Sequence, residues 1–63
     1  MPNVVIDFLA GRSIEQKREM AKRVTQAIVE TLNCPPEAVQ IVMHEISTDQ
    51  IANGGVLRCD NSK

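Results

Sequence analysis

The sequence predicts an α/β (α+β) chain: a single β-α-β unit with a C-terminal β-hairpin, residues 1–63 forming one domain completed by oligomerisation. Two apolar runs rich in β-branched residues, 4–9 and 39–46, flank one stretch of helical periodicity, 13–32, and an Asn53-Gly54 turn signal follows. A chain of 63 residues buries only about 60% of its unfolded surface, so its stability must come from disulfides, a metal or partner subunits.

Val4, Val5, Ile6, Phe8 and Leu9, interrupted only by Asp7, read as a first strand covered on both faces. Gly11 permits a turn, and Ser13 with Gln16 three residues later forms a capping box. Met20, Ala21, Val24, Ala27, Ile28 and Leu32 then recur at spacings of three and four, opposite Lys17, Arg18, Lys22, Arg23 and Glu30. Asn33 can adopt the left-handed conformation that ends a helix, and Pro35 and Pro36 prevent continuation. In the second strand Val39, Ile41 and Met43 alternate with Gln40, Val42 and His44. A helix between two strands is long enough for a right-handed crossover, which makes the strands parallel and leaves one sheet face uncovered. Short segments around Ile51-Ala52 and Val56-Leu57 flank the turn signal. A hairpin this small is marginal unless it packs on a neighbour.

Composition narrows the class of function. Cys34 and Cys59, with a single histidine and no CxxC pair, supply neither a disulfide framework nor an ordinary structural zinc site. No apolar run approaches the ~20 residues that span a bilayer, and no basic segment followed by an apolar one opens the chain. The reading is a cytoplasmic protein with reduced thiols, stabilised by association. Net charge is −1, the basic residues are scattered, and Phe8 is the one aromatic residue, which excludes both the electrostatic footprint and the stacking platform of a nucleic-acid binder.

Two residues are candidates for chemistry. Initiator methionine is removed before small residues, and loss of Met1 would leave Pro2 with a free secondary amine; an α-amine titrates near ~8, and an apolar pocket or nearby cations lower it toward a neutral-pH base. Arg12 lies between the first strand and the helix cap, where its planar fork could grip a carboxylate. Taken singly, each has a bland alternative: a proline that occurs by composition and a solvated turn arginine.

Together with their surroundings they carry more. Met1-Pro2 before a short strand, the run Leu9-Ala10-Gly11-Arg12-Ser13-Ile14-Glu15-Gln16-Lys17-Arg18, and Val24-Thr25-Gln26-Ala27-Ile28 within the helix resemble 4-oxalocrotonate tautomerase and its close relatives. Pro35, the second strand and Gly54-Gly55 fit the same register, so the resemblance covers nearly the whole chain. It implies dimers whose sheets join, commonly a trimer of dimers. It also implies an isomerase of aromatic-hydrocarbon catabolism that tautomerises 2-hydroxymuconate-like dienols or 2-oxo acids without metal or organic cofactor. Pro2 would carry the proton, Arg12 would bind a carboxylate from a neighbouring subunit's pocket, and Leu9 would contact substrate.

Two positions depart from the family pattern. Gln40 stands where 4-oxalocrotonate tautomerase has a second arginine, and Ile51 where it has a pocket phenylalanine. An amide can hydrogen-bond a substrate but supplies no charge to a dienolate. Ile51 still excludes water from the amine. Gln40 opens two further readings: one subunit of a mixed assembly, with the missing arginine on another chain, and a non-enzymatic scaffold with a decayed pocket. His44, Cys34 and Cys59 are assigned no chemistry, and Met20 and Val24 are read as packing residues.

Overall fold

The computed structural model describes residues 1–61, and the architecture is the predicted β-α-β unit with a terminal hairpin. Strand β1 (Asn3–Leu9) leads through Gly11, at φ 123°, into helix α1 (Ile14–Leu32). Only glycine adopts that backbone angle freely, so the turn that carries Arg12 depends on it. Ser13 caps the helix reciprocally: its hydroxyl accepts from the Gln16 N–H at 3.1 Å, and its own N–H donates to Gln16 Oε1 at 3.0 Å. Asn33 closes the other end in the left-handed region, at φ 55°, ψ 55°.

Strand β2 (Gln40–Ile46) runs parallel to β1 in the register Asn3↔Gln40 through Leu9↔Ile46. It begins one residue later than predicted. Val39 instead closes a 3₁₀ turn over Pro36–Ala38, its N–H donating to the Pro36 carbonyl, because Pro36 presets the first turn residue. The parallel ladder extends by one bond at each end: Gln40 N–H donates to the Pro2 carbonyl at 3.0 Å, and Ala10 N–H to the Ile46 carbonyl at 2.9 Å.

The alternation of side chains assigns the faces. Val4, Ile6 and Phe8 with Ile41 and Met43 form the less exposed face, while Asn3, Val5 and Asp7 with Gln40, Val42 and His44 form the open one. On α1 the half-buried stripe is Lys17, Met20, Ala21, Val24, Thr25, Ile28 and Val29. Ala27 and Leu32, predicted as part of it, are exposed, since the apolar pattern was read around more of the helix than one short sheet can cover.

The hairpin pairs β3 (Ala52–Asn53) with β4 (Val56–Leu57), and its turn residues are Gly54 and Gly55 rather than Asn53 and Gly54. Both glycines have positive φ, 60° and 83°, as a two-residue hairpin turn requires, and the second position is the more demanding for a side chain. Strand β4 packs on the 3₁₀ turn Thr48–Gln50, which in turn packs on the 3₁₀ turn Arg58–Asp60, and Arg58 N–H donates to the Ile51 carbonyl at 2.8 Å.

No described residue is fully buried. The folded chain exposes 4988 Å², where a compact monomer of 7.0 kDa would expose roughly 4,000 Å². Its radius of gyration is 15.2 Å, against about 11 Å for a compact domain of this length. Among the described residues no helix is long and apolar enough to cross a membrane.

Candidate functional site

The fold distributes the sequence-predicted positions between the two ends of one sheet. Pro2 precedes β1 and Gln40 opens β2, and the backbone bond between them holds both at the same sheet end. Leu9 closes β1, Arg12 follows in the turn to α1, and Ile51 lies past the end of β2. Six strand steps separate Asn3 from Leu9, roughly 20 Å at the ordinary rise per residue. The structure therefore brings Pro2 to Gln40, and Arg12 to the end where Leu9 and Ile51 lie, but does not bring the two groups together within one chain.

At the Arg12 end a small pocket of about 110 Å³ lies between sheet and helix, lined by Phe8, Arg12, Gln16, Lys17 and Met20. Drug-sized ligands occupy sites of roughly 300 Å³ or more, so this hollow suits one end of a substrate rather than all of it. Phe8 and Met20 supply an apolar floor, Gln16 is fixed by the capping box, and Arg12 and Lys17 supply positive charge. Lys17 Nζ lies 2.7 Å from Glu45 Oε2 on β2. Sequence reasoning had placed Lys17 on the solvated side of the helix. Its partner is distant in sequence and is brought close only by the parallel crossover.

The open face holds a cross-strand polar pair: His44 Nδ1 lies 3.0 Å from Asp7 Oδ1, as expected of residues opposite one another in the β1–β2 register. His44 thus faces away from the helix. Around the pair are Val5, 62% exposed, and Val42. Cys34 is half-buried and Cys59 exposed, both free thiols. Among the described residues no group of three or more His, Cys, Asp or Glu side chains could hold a metal ion.

Residues 2–60 match the family described as Tautomerase enzyme. The chain belongs to the tautomerase family. A probable tautomerase of Halalkalibacterium halodurans is 44% identical over 55 residues, covering 87% of this chain and 90% of that protein. One of Lactiplantibacillus plantarum is 38% identical over 60 residues, covering 95% and 94%. The crystal structure of a 4-oxalocrotonate tautomerase homologue superposes with a TM-score of 0.92 at 36% identity, covering 100% of both chains. A heterohexameric 4-oxalocrotonate tautomerase from Chloroflexus aurantiacus J-10-fl superposes at 0.87 with 28% identity, covering 97% of this chain and 98% of that one. The tautomerase chain is accordingly an isomerase of the keto-enol class.

Proposed function

We propose that this tautomerase is cofactor-independent and interconverts the enol and keto forms of a 2-hydroxydienoate or 2-oxo acid of the 2-hydroxymuconate kind, with Pro2 as proton carrier and Arg12 as carboxylate anchor. The observation that carries the reading is the partition of the site between the two ends of β1. Pro2 and Gln40 share one end, and Arg12, Leu9 and Ile51 the other, so a substrate touching both groups lies between subunits.

Once Met1 is removed, the Pro2 nitrogen is a secondary amine rather than an amide. It takes the proton of the 2-hydroxyl group, the electron pair moves through the conjugated chain, and the resulting ammonium returns the proton to carbon. Negative charge on the intermediate dienolate is met by Gln40 through its amide N–H alone, which slows the step relative to a guanidinium. Arg12 of a neighbouring subunit holds the carboxylate remote from the enol in a bidentate grip. Leu9 and Ile51 of that subunit close the pocket against water and hold the amine's pKa low.

The surface supports association. The excess over a compact monomer, roughly 1,000 Å², is comparable with the ~800 Å² each partner contributes to a standard interface. The open sheet face, with Val5 and Val42, and the hairpin, with Val56 and Leu57, are the apolar patches to be covered. A homohexamer built from dimers is our reading, with residues 1–63 as one domain, located in the cytoplasm. A mixed assembly is the second reading, favoured by Gln40 at the family's arginine position and by the heterohexameric similar structure.

Mass spectrometry on the purified chain to confirm loss of Met1, followed by ketonisation rates for 2-hydroxymuconate and phenylenolpyruvate, tests the mechanism. Turnover that Pro2→Ala reduces by about 10²- to 10⁴-fold is expected for a general acid–base residue. An undiminished rate in Pro2→Ala rules out the proline mechanism, and a chain active only with a second, arginine-bearing chain selects the mixed assembly.

A further inference from the structure

Arg12 shares its pocket with a second cation. Lys17 lines the same hollow over Phe8 and Met20, and its ammonium is tied to Glu45 at 2.7 Å. This ion pair differs from the other Lys and Arg pairs among the described residues. Arg18–Glu15 and Arg23–Glu19 lie along the helix surface with both partners more than half exposed, whereas Lys17 is 25% exposed and its pair joins α1 to β2. Exposed pairs of the first kind contribute little.

The donor count leaves Lys17 with capacity to spare. An ammonium has three N–H donors, Glu45 Oε2 accepts one, and the others can serve a ligand in the pocket. Among the described residues Arg12 has no carboxylate within ion-pair distance. Two cations and one carboxylate leave the hollow with one net positive charge beside an apolar floor. That complements a single carboxylate at the end of a hydrocarbon chain.

We propose that Lys17 is a second recognition residue for the substrate carboxylate that Arg12 engages, with Glu45 as the positioning residue that aims it. The inference rests on the Arg12 assignment made above and extends it. Arg12 grips the carboxylate in its plane, and Lys17 adds a point charge from the helix side. Charge recognition is then concentrated at this end, while the Pro2 end, with Gln40, recognises the enol through hydrogen bonds alone.

The test is calorimetric titration with cis,cis-muconate, a dicarboxylate without a hydroxyl to ketonise, into the assembled protein and its variants, assembly being checked by sedimentation. Lys17→Met should weaken binding about tenfold, the worth of one charge-assisted hydrogen bond. Lys17→Arg should restore most of it. In kinetics, Lys17→Met should raise KM for 2-hydroxymuconate and leave KM for phenylenolpyruvate, which has no remote carboxylate, unchanged. Binding lost in Arg12→Ala but kept in Lys17→Met overturns the proposal and leaves the Arg12 anchor standing; independence of both residues overturns the two together. Equal losses for the dicarboxylate and the monocarboxylate, not restored by Lys17→Arg, would make the ion pair a strut of the fold and overturn it as well.

Discussion

The two ends of the β1–β2 sheet are built alike and furnished differently. At each end a backbone bond prolongs the parallel ladder, Gln40 N–H to Pro2 at one and Ala10 N–H to Ile46 at the other. Beyond that the Pro2 end offers an imino acid and a neutral amide, while the Arg12 end offers a guanidinium, an ammonium and an apolar hollow capped by a fixed helix N-terminus. In the proposed mechanism the contrast divides the work: proton transfer belongs to the end with no side-chain cation among the predicted residues, and charge recognition to the end with two. An amine beside cations would have its pKa lowered further, and a carboxylate beside Pro2 would raise it. The proposed mechanism places the two tasks roughly 20 Å apart within a chain, so a second subunit is needed to reunite them.

The partition is most directly broken by mixing. Pro2→Ala alone should lose about 10²- to 10⁴-fold in kcat, and Arg12→Ala should raise KM for 2-hydroxymuconate at least about tenfold. Co-refolded together they should regain activity that neither shows alone, because some sites then pair an intact Pro2 with an intact Arg12; rate assays across mixing ratios check this, and no recovery would place both residues of a site on one chain. Making the ends more alike comes next in size. Gln40→Arg should raise kcat for 2-hydroxymuconate about tenfold or more by stabilising the dienolate, read from steady-state rates. A smaller effect is expected at the hairpin. Gly55→Val puts a β-branched residue at φ 83°, a strain of about 1–3 kcal/mol, and should lower the melting temperature and loosen assembly in sedimentation.

The smallest effect belongs to the exposed helix surface. Arg23 donates to Glu19 at 2.7 Å, and that hydrogen bond with the guanidinium charge lowers the Glu19 pKa. A depressed carboxylate pKa means that any stabilisation is present at neutral pH and fades as pH falls through the folded value. Both side chains are largely exposed, so Glu19→Gln should leave melting curves and KM unchanged at neutral pH, in contrast with Lys17→Met.

Local signals were legible to within a residue. The Ser13–Gln16 capping box, the Asn33 cap and the alternation along β2 depend on side chains within a few positions of one another, and each stands where the pattern put it. The hairpin turn slipped by one position because Asn53-Gly54 and Gly54-Gly55 both satisfy a two-residue turn, and the pairing Asn53↔Val56 chooses between them. Leu32 looked like core by periodicity yet is 61% exposed, since spacing fixes a face but not the extent of sheet available to cover it.

Element order, the helix ends, the family resemblance and the candidate residues Pro2, Arg12, Leu9, Gln40 and Ile51 were all legible before folding, because each of these follows from neighbours along the chain or from a motif in register. Folding added the division of these residues into two groups at opposite sheet ends, the meeting of Glu45 with Lys17, and that of Asp7 with His44. Those facts come from a parallel crossover that aligns residues more than twenty positions apart, and no local pattern encodes such a pairing.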